Sequence, residues 1–108
     1  MKTLIIFLFY NAMLFALCPL PLTKDCKCEN IILQGRVRIT TFGEDFRVRI
    51  TDIDPDIRVH ITTTPIRCGE WDTVSASEDF RIKFVDNAED FSIQFSDFPG
   101  LSTRVLNQ

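Results

Sequence analysis

Little in this sequence is suited to catalysis, to metal binding or to spanning a membrane. It has one histidine, so any imidazole-based acid–base or zinc chemistry would have to be built around His60 alone. His60 falls between Val59 and Ile61 in an alternating stretch, where a solvated strand residue is expected. Ser75, Ser77, Ser92, Ser96 and Ser102 stand in no recognisable nucleophile motif. Positive charge is not in excess: twelve Lys and Arg face fifteen Asp and Glu, which is a poor composition for nucleic-acid binding. No apolar run reaches the roughly 20 residues that a helix needs to cross a bilayer. After the first sixteen residues no segment has helical periodicity, so essentially no helix is expected there. The stretch Asp52-Ile53-Asp54-Pro55-Asp56 alternates carboxylates like a calcium loop, yet it lacks the glycine and the distal glutamate of an EF-hand. No catalytic residue, metal or cofactor is therefore assigned.

What is present begins with a leader. Lys2 is followed by an apolar stretch over residues 4–17, broken only by Tyr10 and Asn11, and then by Pro19, Pro21 and polar residues. That order is the pattern of a secretory signal peptide. Residues 1–16 are expected to be cleaved after the small Ala16, giving a secreted or periplasmic protein with no transmembrane span. Lipid attachment at Cys18 is the competing reading, but Leu17 stands where that chemistry uses a small residue. Without Lys2 the remaining chain has eleven Lys and Arg against fifteen Asp and Glu, a net charge of 11 − 15 = −4.

Residues 17–30 form a linker carrying Cys18, Cys26 and Cys28, and a fourth cysteine, Cys68, lies in the middle of the chain. Outside the cell such thiols are commonly oxidised, and four of them allow three pairings. Cys26 and Cys28 are too close for an easy mutual bridge, so at least one is expected to pair with Cys68 and staple the linker to the domain. Three thiolates on zinc are the alternative, although no second close cysteine or histidine accompanies Cys68.

The strongest signal is internal repetition. From Gly35 the chain reads GRVRITTFGED, FRVRITDIDPD and IRVHITTTPIR in blocks of eleven, then the variant CGEWDTVSASED, then FRIKFVDNAED and FSIQFSDFPGL. Asp45-Phe46, Asp56-Ile57, Asp79-Phe80 and Asp90-Phe91 open four of these blocks. Each block then alternates, with Phe46, Val48 and Ile50 on one face and Arg47 and Arg49 on the other, which is the period of a half-buried strand. Gly43, Asp54-Pro55-Asp56, Asn87 and Pro99-Gly100 supply turns between the strands. Short β-branched strands at this spacing belong to a barrel, sandwich or solenoid. The expected fold is all-β, one compact closed or barrel-like domain over residues 31–103 with a tail at 104–108. Seven of the ten phenylalanines lie between Phe42 and Phe98, and they are expected in its core.

Charge is sorted along the repeat. Strand positions are cationic (Arg36, Arg38, Arg47, Arg49, Arg58, Arg81, Lys83) and connectors anionic (Glu44-Asp45, Glu78-Asp79, Glu89-Asp90). Acidic connectors are expected to form turns and keep the chain soluble, and the cationic positions to keep strand faces solvated and edges unpaired. If strands pair in register, Arg47, Arg49, Arg81 and Lys83 also form a basic band able to take an anionic polymer or glycan.

Laid side by side, these blocks resemble the septoil-knot domain family, with tandem short strands separated by acidic, turn-forming segments. The resemblance covers residues 31–102 and is most specific in Cys68-Gly69-Glu70-Trp71, FRIKFVDNAED and FSIQFSDFPGL, while Thr62-Thr63-Thr64 and Pro65-Ile66-Arg67 depart from the usual acidic connector. It implies an all-β chain wound repeatedly around itself into a deep knot; composition and spacing alone imply no knot. It carries no established activity or catalytic residue. The function expected from the sequence is a secreted, non-enzymatic structural or binding module, with a secreted hydrolase or toxin-like effector using acidic connector residues as the alternative.

Overall fold

The computed structural model describes residues 23–106. A short antiparallel ladder, β1 (Lys27–Cys28) with β2 (Ile31–Ile32), leads into six repeat strands: β3 (Gly35–Ile39), β4 (Phe46–Ile50), β5 (Ile57–Ile61), β6 (Glu70–Thr73), β7 (Phe80–Phe84) and β8 (Phe91–Phe95). The strand β9 (Gly100–Leu101) and a single helical turn, α1 (Thr103–Leu106), close the chain. Strands β4, β5, β7 and β8 each begin where the sequence places Phe or Ile after an aspartate, so the repeat pattern sets their position directly.

The spatial order is β6-β3-β7-β4-β8-β5, and β5 pairs back onto β6, so six parallel strands close into a barrel. Strand β9 adds antiparallel to β5. Strands from the first half of the chain (β3, β4, β5) alternate with strands from the second half (β6, β7, β8). Single residues show how. Ile82 of β7 faces Ile39 on one side and Phe46 on the other, so the connector 40–45 steps across β7. Val48 of β4 likewise lies between Phe84 and Phe91, with connector 85–90 astride it. The same step is made over Val37 and over Ile93. The two half-chains are therefore interwound, each clamping the other, and closure leaves little sheet edge exposed.

The acidic residue that opens a block has a mechanical role. The Asp45 backbone N–H donates to the Arg81 carbonyl, while Asp45 Oδ2 accepts the Arg81 backbone N–H at 2.8 Å. Asp56 holds Ser92, Asp79 holds Arg36 and Asp90 holds Arg47 in the same two-bond fashion, with the side-chain oxygen at 2.9, 2.8 and 2.7 Å. In a parallel ladder the N–H and C=O of one residue go to different partners, so such a reciprocal pair does not arise from main chain alone. The aspartate side chain supplies the missing acceptor at each strand entry. Turn formation and solubility, expected of these acids from the sequence, are thus only part of their role.

Val37, Val48, Val59, Trp71, Ile82 and Ile93 are buried in the interior together with Phe46, Ile57, Phe80 and Phe91. Phe46 meets Phe80 and Phe91 edge-on at 5.8 and 5.6 Å, and Trp71 meets Phe80 at 5.7 Å. Each such buried side chain is worth about 1.5–3 kcal/mol. Trp71 Nε1–H donates to the Leu33 carbonyl, tying the interrupted block to the segment that closes the barrel end. The core is narrower than the alternation suggests. Phe42 and Phe98 are 78% and 81% exposed, and Ile39, Ile50, Ile61, Phe84 and Phe95 lie between 36% and 51%. These five share strand parity with the core but stand at the strand ends, where no further layer covers them, while Phe42 and Phe98 lie in connectors.

Candidate functional site

The four cations singled out by the sequence lie on the outside of neighbouring strands. Arg47 of β4 stands directly opposite Lys83 of β7, Arg81 of β7 directly opposite Arg38 of β3, and Arg49 faces Ser92 of β8. Pairing in register therefore brings Arg38, Arg81, Lys83 and Arg47 together across three strands, with Arg49 at the margin.

The band is partly neutralised by its own connectors. Arg47 Nε lies 3.5 Å from Glu44, Arg81 Nε 3.2 Å from Glu78, and Arg49 Nε donates to Glu89 Oε2 at 2.8 Å. The Arg49 hydrogen bond is the main reason the Glu89 carboxyl is held below the ordinary carboxylate range. Arg81 also donates to the Gly43 carbonyl, so its guanidinium lies beneath the connector that crosses β7. Arg38 and Lys83 have no carboxylate partner among the described residues. The glutamates were not assigned from the sequence, although Glu44-Asp45-Phe46-Arg47 and Glu78-Asp79-Phe80-Arg81 repeat the same spacing from acid to arginine.

The remaining connector acids are spread apart. Asp45, Asp56, Asp79 and Asp90 are the strand clamps. Asp52 and Asp54 line a recess with Pro55, Arg58, Gln94 and Ser102. His60 Nδ1 lies 3.9 Å from Asp97, and Glu70 is the register partner of His60 on β6. Glu70 does something the sequence did not disclose. Its buried carboxylate accepts the backbone N–H groups of Ile66 and Arg67 and the Arg67 guanidinium, folding the divergent connector 62–69 onto itself. Those Ile66 and Arg67 bonds hold its carboxyl below the ordinary range.

Cys26 and Cys68 form a disulfide with Cα atoms 5.9 Å apart, joining the linker to the connector ahead of β6. Cys28 is likewise a disulfide cysteine and is buried. Oxidation of Cys26 and Cys68 removes the thiolates that a zinc site would need. Cys18 and the leader at residues 1–16 lie outside the described residues. Among the described residues no helix is long and apolar enough to cross a membrane.

The family model described as the 7(1) septoil knot domain matches residues 30–102. The chain belongs to the septoil knot domain family. The match spans all six barrel strands and β9, so the septoil knot winding is the winding seen in the alternation of the two half-chains. A comparison with curated proteins gives no match. The resemblance read from the repeat is thus the family relationship itself, and connector 62–69, where the repeat departs, is where the septoil knot chain turns from its first coil to its second.

Proposed function

We propose that this chain is an exported, non-enzymatic binding module whose outer face, carrying Arg47, Arg49, Arg81 and Lys83, takes an anionic polymer or glycan. One observation carries the reading: Arg47 faces Lys83 and Arg81 faces Arg38 in strict register. Like charges directly opposite on adjacent strands destabilise a sheet, so their placement works against the fold and is accounted for by a ligand of opposite sign. Export rests on the leader at residues 1–16, and the Cys26–Cys68 bond supports an oxidising compartment. The chain's net negative charge disfavours indiscriminate polyanion binding, so binding is confined to this face.

The probe is dextran sulfate, titrated at increasing salt against the secreted protein and against a variant with Arg47, Arg49, Arg81 and Lys83 all changed to Gln. Binding that weakens with salt and is abolished in the variant supports the reading. Unchanged binding in the variant leaves the cations with a solubility role only.

A further inference from the structure

All exposed large apolar residues among the described ones, except Ile32 and Leu106, stand at the last position of a repeat strand or in the connector that follows it. Because the six strands are parallel, the strand-end residues Ile39, Ile50, Ile61, Phe84 and Phe95 gather at one end of the barrel. The core does not require them. Thr73 ends β6 where Phe84 and Phe95 end β7 and β8, so the fold accepts a polar residue at this level. Five of the six strand ends are nevertheless Ile or Phe.

The apolar end carries two recesses that are copies of one another. The first, about 320 Å³, is lined by Arg49, Ile50, Phe84, Val85 and Asp86. The second, about 420 Å³, is lined by His60, Ile61, Phe95, Ser96 and Asp97 together with Val59. Each residue of the second lies eleven positions after its counterpart in the first, so the repeat has built the same apolar notch twice, each time ending in an aspartate. Asp97 is 91% exposed. Of the basic side chains lining the recesses, Arg49 is held by Glu89 and His60 lies 3.9 Å from Asp97. The surface is apolar with an anionic rim.

We infer that this end docks a cationic amphipathic polypeptide segment, with apolar side chains seated in the two recesses and Lys or Arg paired with Asp86 and Asp97. Charge selects the occupant: the carboxylates repel an anionic lipid surface and attract a basic peptide. Spaced recesses of one kind suit a chain presenting apolar groups at intervals. The inference rests on the strand-end face, whereas the polyanion reading concerns the flank of β3, β7 and β4; the two share only Arg49.

The test uses the secreted protein and a fluorescent peptide alternating Leu and Lys, compared with a Ser-Lys peptide of equal charge and a Leu-Glu peptide of opposite charge. The Leu-Lys peptide is expected to bind at least about tenfold more tightly than either. A Phe84→Thr/Phe95→Thr double variant, following the Thr73 precedent, should lose about tenfold with an unchanged denaturation midpoint. Asp86→Asn/Asp97→Asn, which leaves the apolar notches intact, should lose a similar factor. A variant with Arg47, Arg81 and Lys83 changed to Gln, which spares the recess residue Arg49, should keep peptide binding. Equal binding of Leu-Lys and Ser-Lys peptides, or unchanged binding in both double variants, overturns the inference. So does sedimentation showing a dimer that Phe84→Thr/Phe95→Thr dissolves, which would make a second copy the occupant. Adsorption to neutral phosphatidylcholine vesicles that the same variant abolishes would assign the end to a bilayer instead.

Discussion

The aspartate clamps are the most exposed part of this account to experiment, and Asp90→Ala is the cleanest perturbation of them. Asp90 Oδ2 accepts the Arg47 backbone N–H at 2.7 Å, and the Asp90 N–H donates to the Arg47 carbonyl. Alanine deletes the first bond and leaves the second. A hydrogen bond to a charged acceptor contributes about 1.5–3 kcal/mol. Arg47 is at a partly exposed strand entry, where water can replace the lost oxygen, so the lower end, about 1.5 kcal/mol, is expected. Asp90→Asn keeps a neutral acceptor and should cost roughly half as much. The assay is denaturant unfolding at equilibrium, approached from both the folded and the unfolded side, with the midpoint read at constant slope. Asp86→Ala is the control, because Asp86 makes no clamp. If Asp90→Ala falls within about 0.5 kcal/mol of that control, the clamps are decoration and the reasoning fails.

Other outcomes follow from the same contacts. Gly35 has φ +116°, and a Cβ there would sit 2.3 Å from Asp79 Oδ2, so Gly35→Ala should cost about 1–3 kcal/mol and be strongly sub-additive with Asp79→Ala in a double-mutant cycle. Because Glu70 and Glu89 have lowered carboxyl pKa values in the folded protein, their stabilisation is complete above the ordinary carboxylate range and is lost as pH falls through the lowered values. The midpoint gap between the wild type and Glu70→Gln should therefore shrink from about pH 7 to about pH 3, and a gap independent of pH would contradict it. Removing the Cys26–Cys68 bond, whose cysteines are 42 residues apart, should cost about 4 kcal/mol by loop entropy, measured as the stability difference between the wild type and Cys26→Ser/Cys68→Ser.

Strand position and inward parity were readable because both depend on neighbours in sequence: Phe46 with Val48, Phe80 with Ile82 and Phe91 with Ile93 are buried as their alternation requires. Which strand lies beside which was not readable. Gly35 pairs with Trp71 while Val37 pairs with Phe80, and near-identical blocks give no local preference for either neighbour. The clamps escaped for the same reason, since Asp79 reaches Arg36 only once the two coils are interwound. Burial at Ile50, Phe84 and Phe95 was overestimated because alternation reports the face of a strand and not its distance from the barrel end. At the candidate face, the four cations and their shared side of the sheet were legible; of the glutamates neutralising three of them, Glu44 and Glu78 stand at a local spacing three residues before Arg47 and Arg81, whereas Glu89 meets Arg49 across strands, which no local pattern reports. Connector 62–69, lacking the acidic opening, relies instead on Glu70, a substitution visible only in three dimensions.

The interwinding of the two half-chains is the claim on which the rest depends, and refolding kinetics test it most directly. Partners in the barrel come from opposite halves of the chain, as in Asp45 with Arg81 and Asp90 with Arg47, so loop closure must precede most native contacts. A strand displaced by one repeat also offers almost the same inward pattern, which creates misregistered traps. The measurement is refolding from denaturant with the disulfides kept intact, after unfolding pulses short enough to preserve the native proline isomers. The account predicts slow recovery over minutes or longer with comparably slow unfolding, and complete single-exponential recovery within milliseconds would contradict an interwound chain.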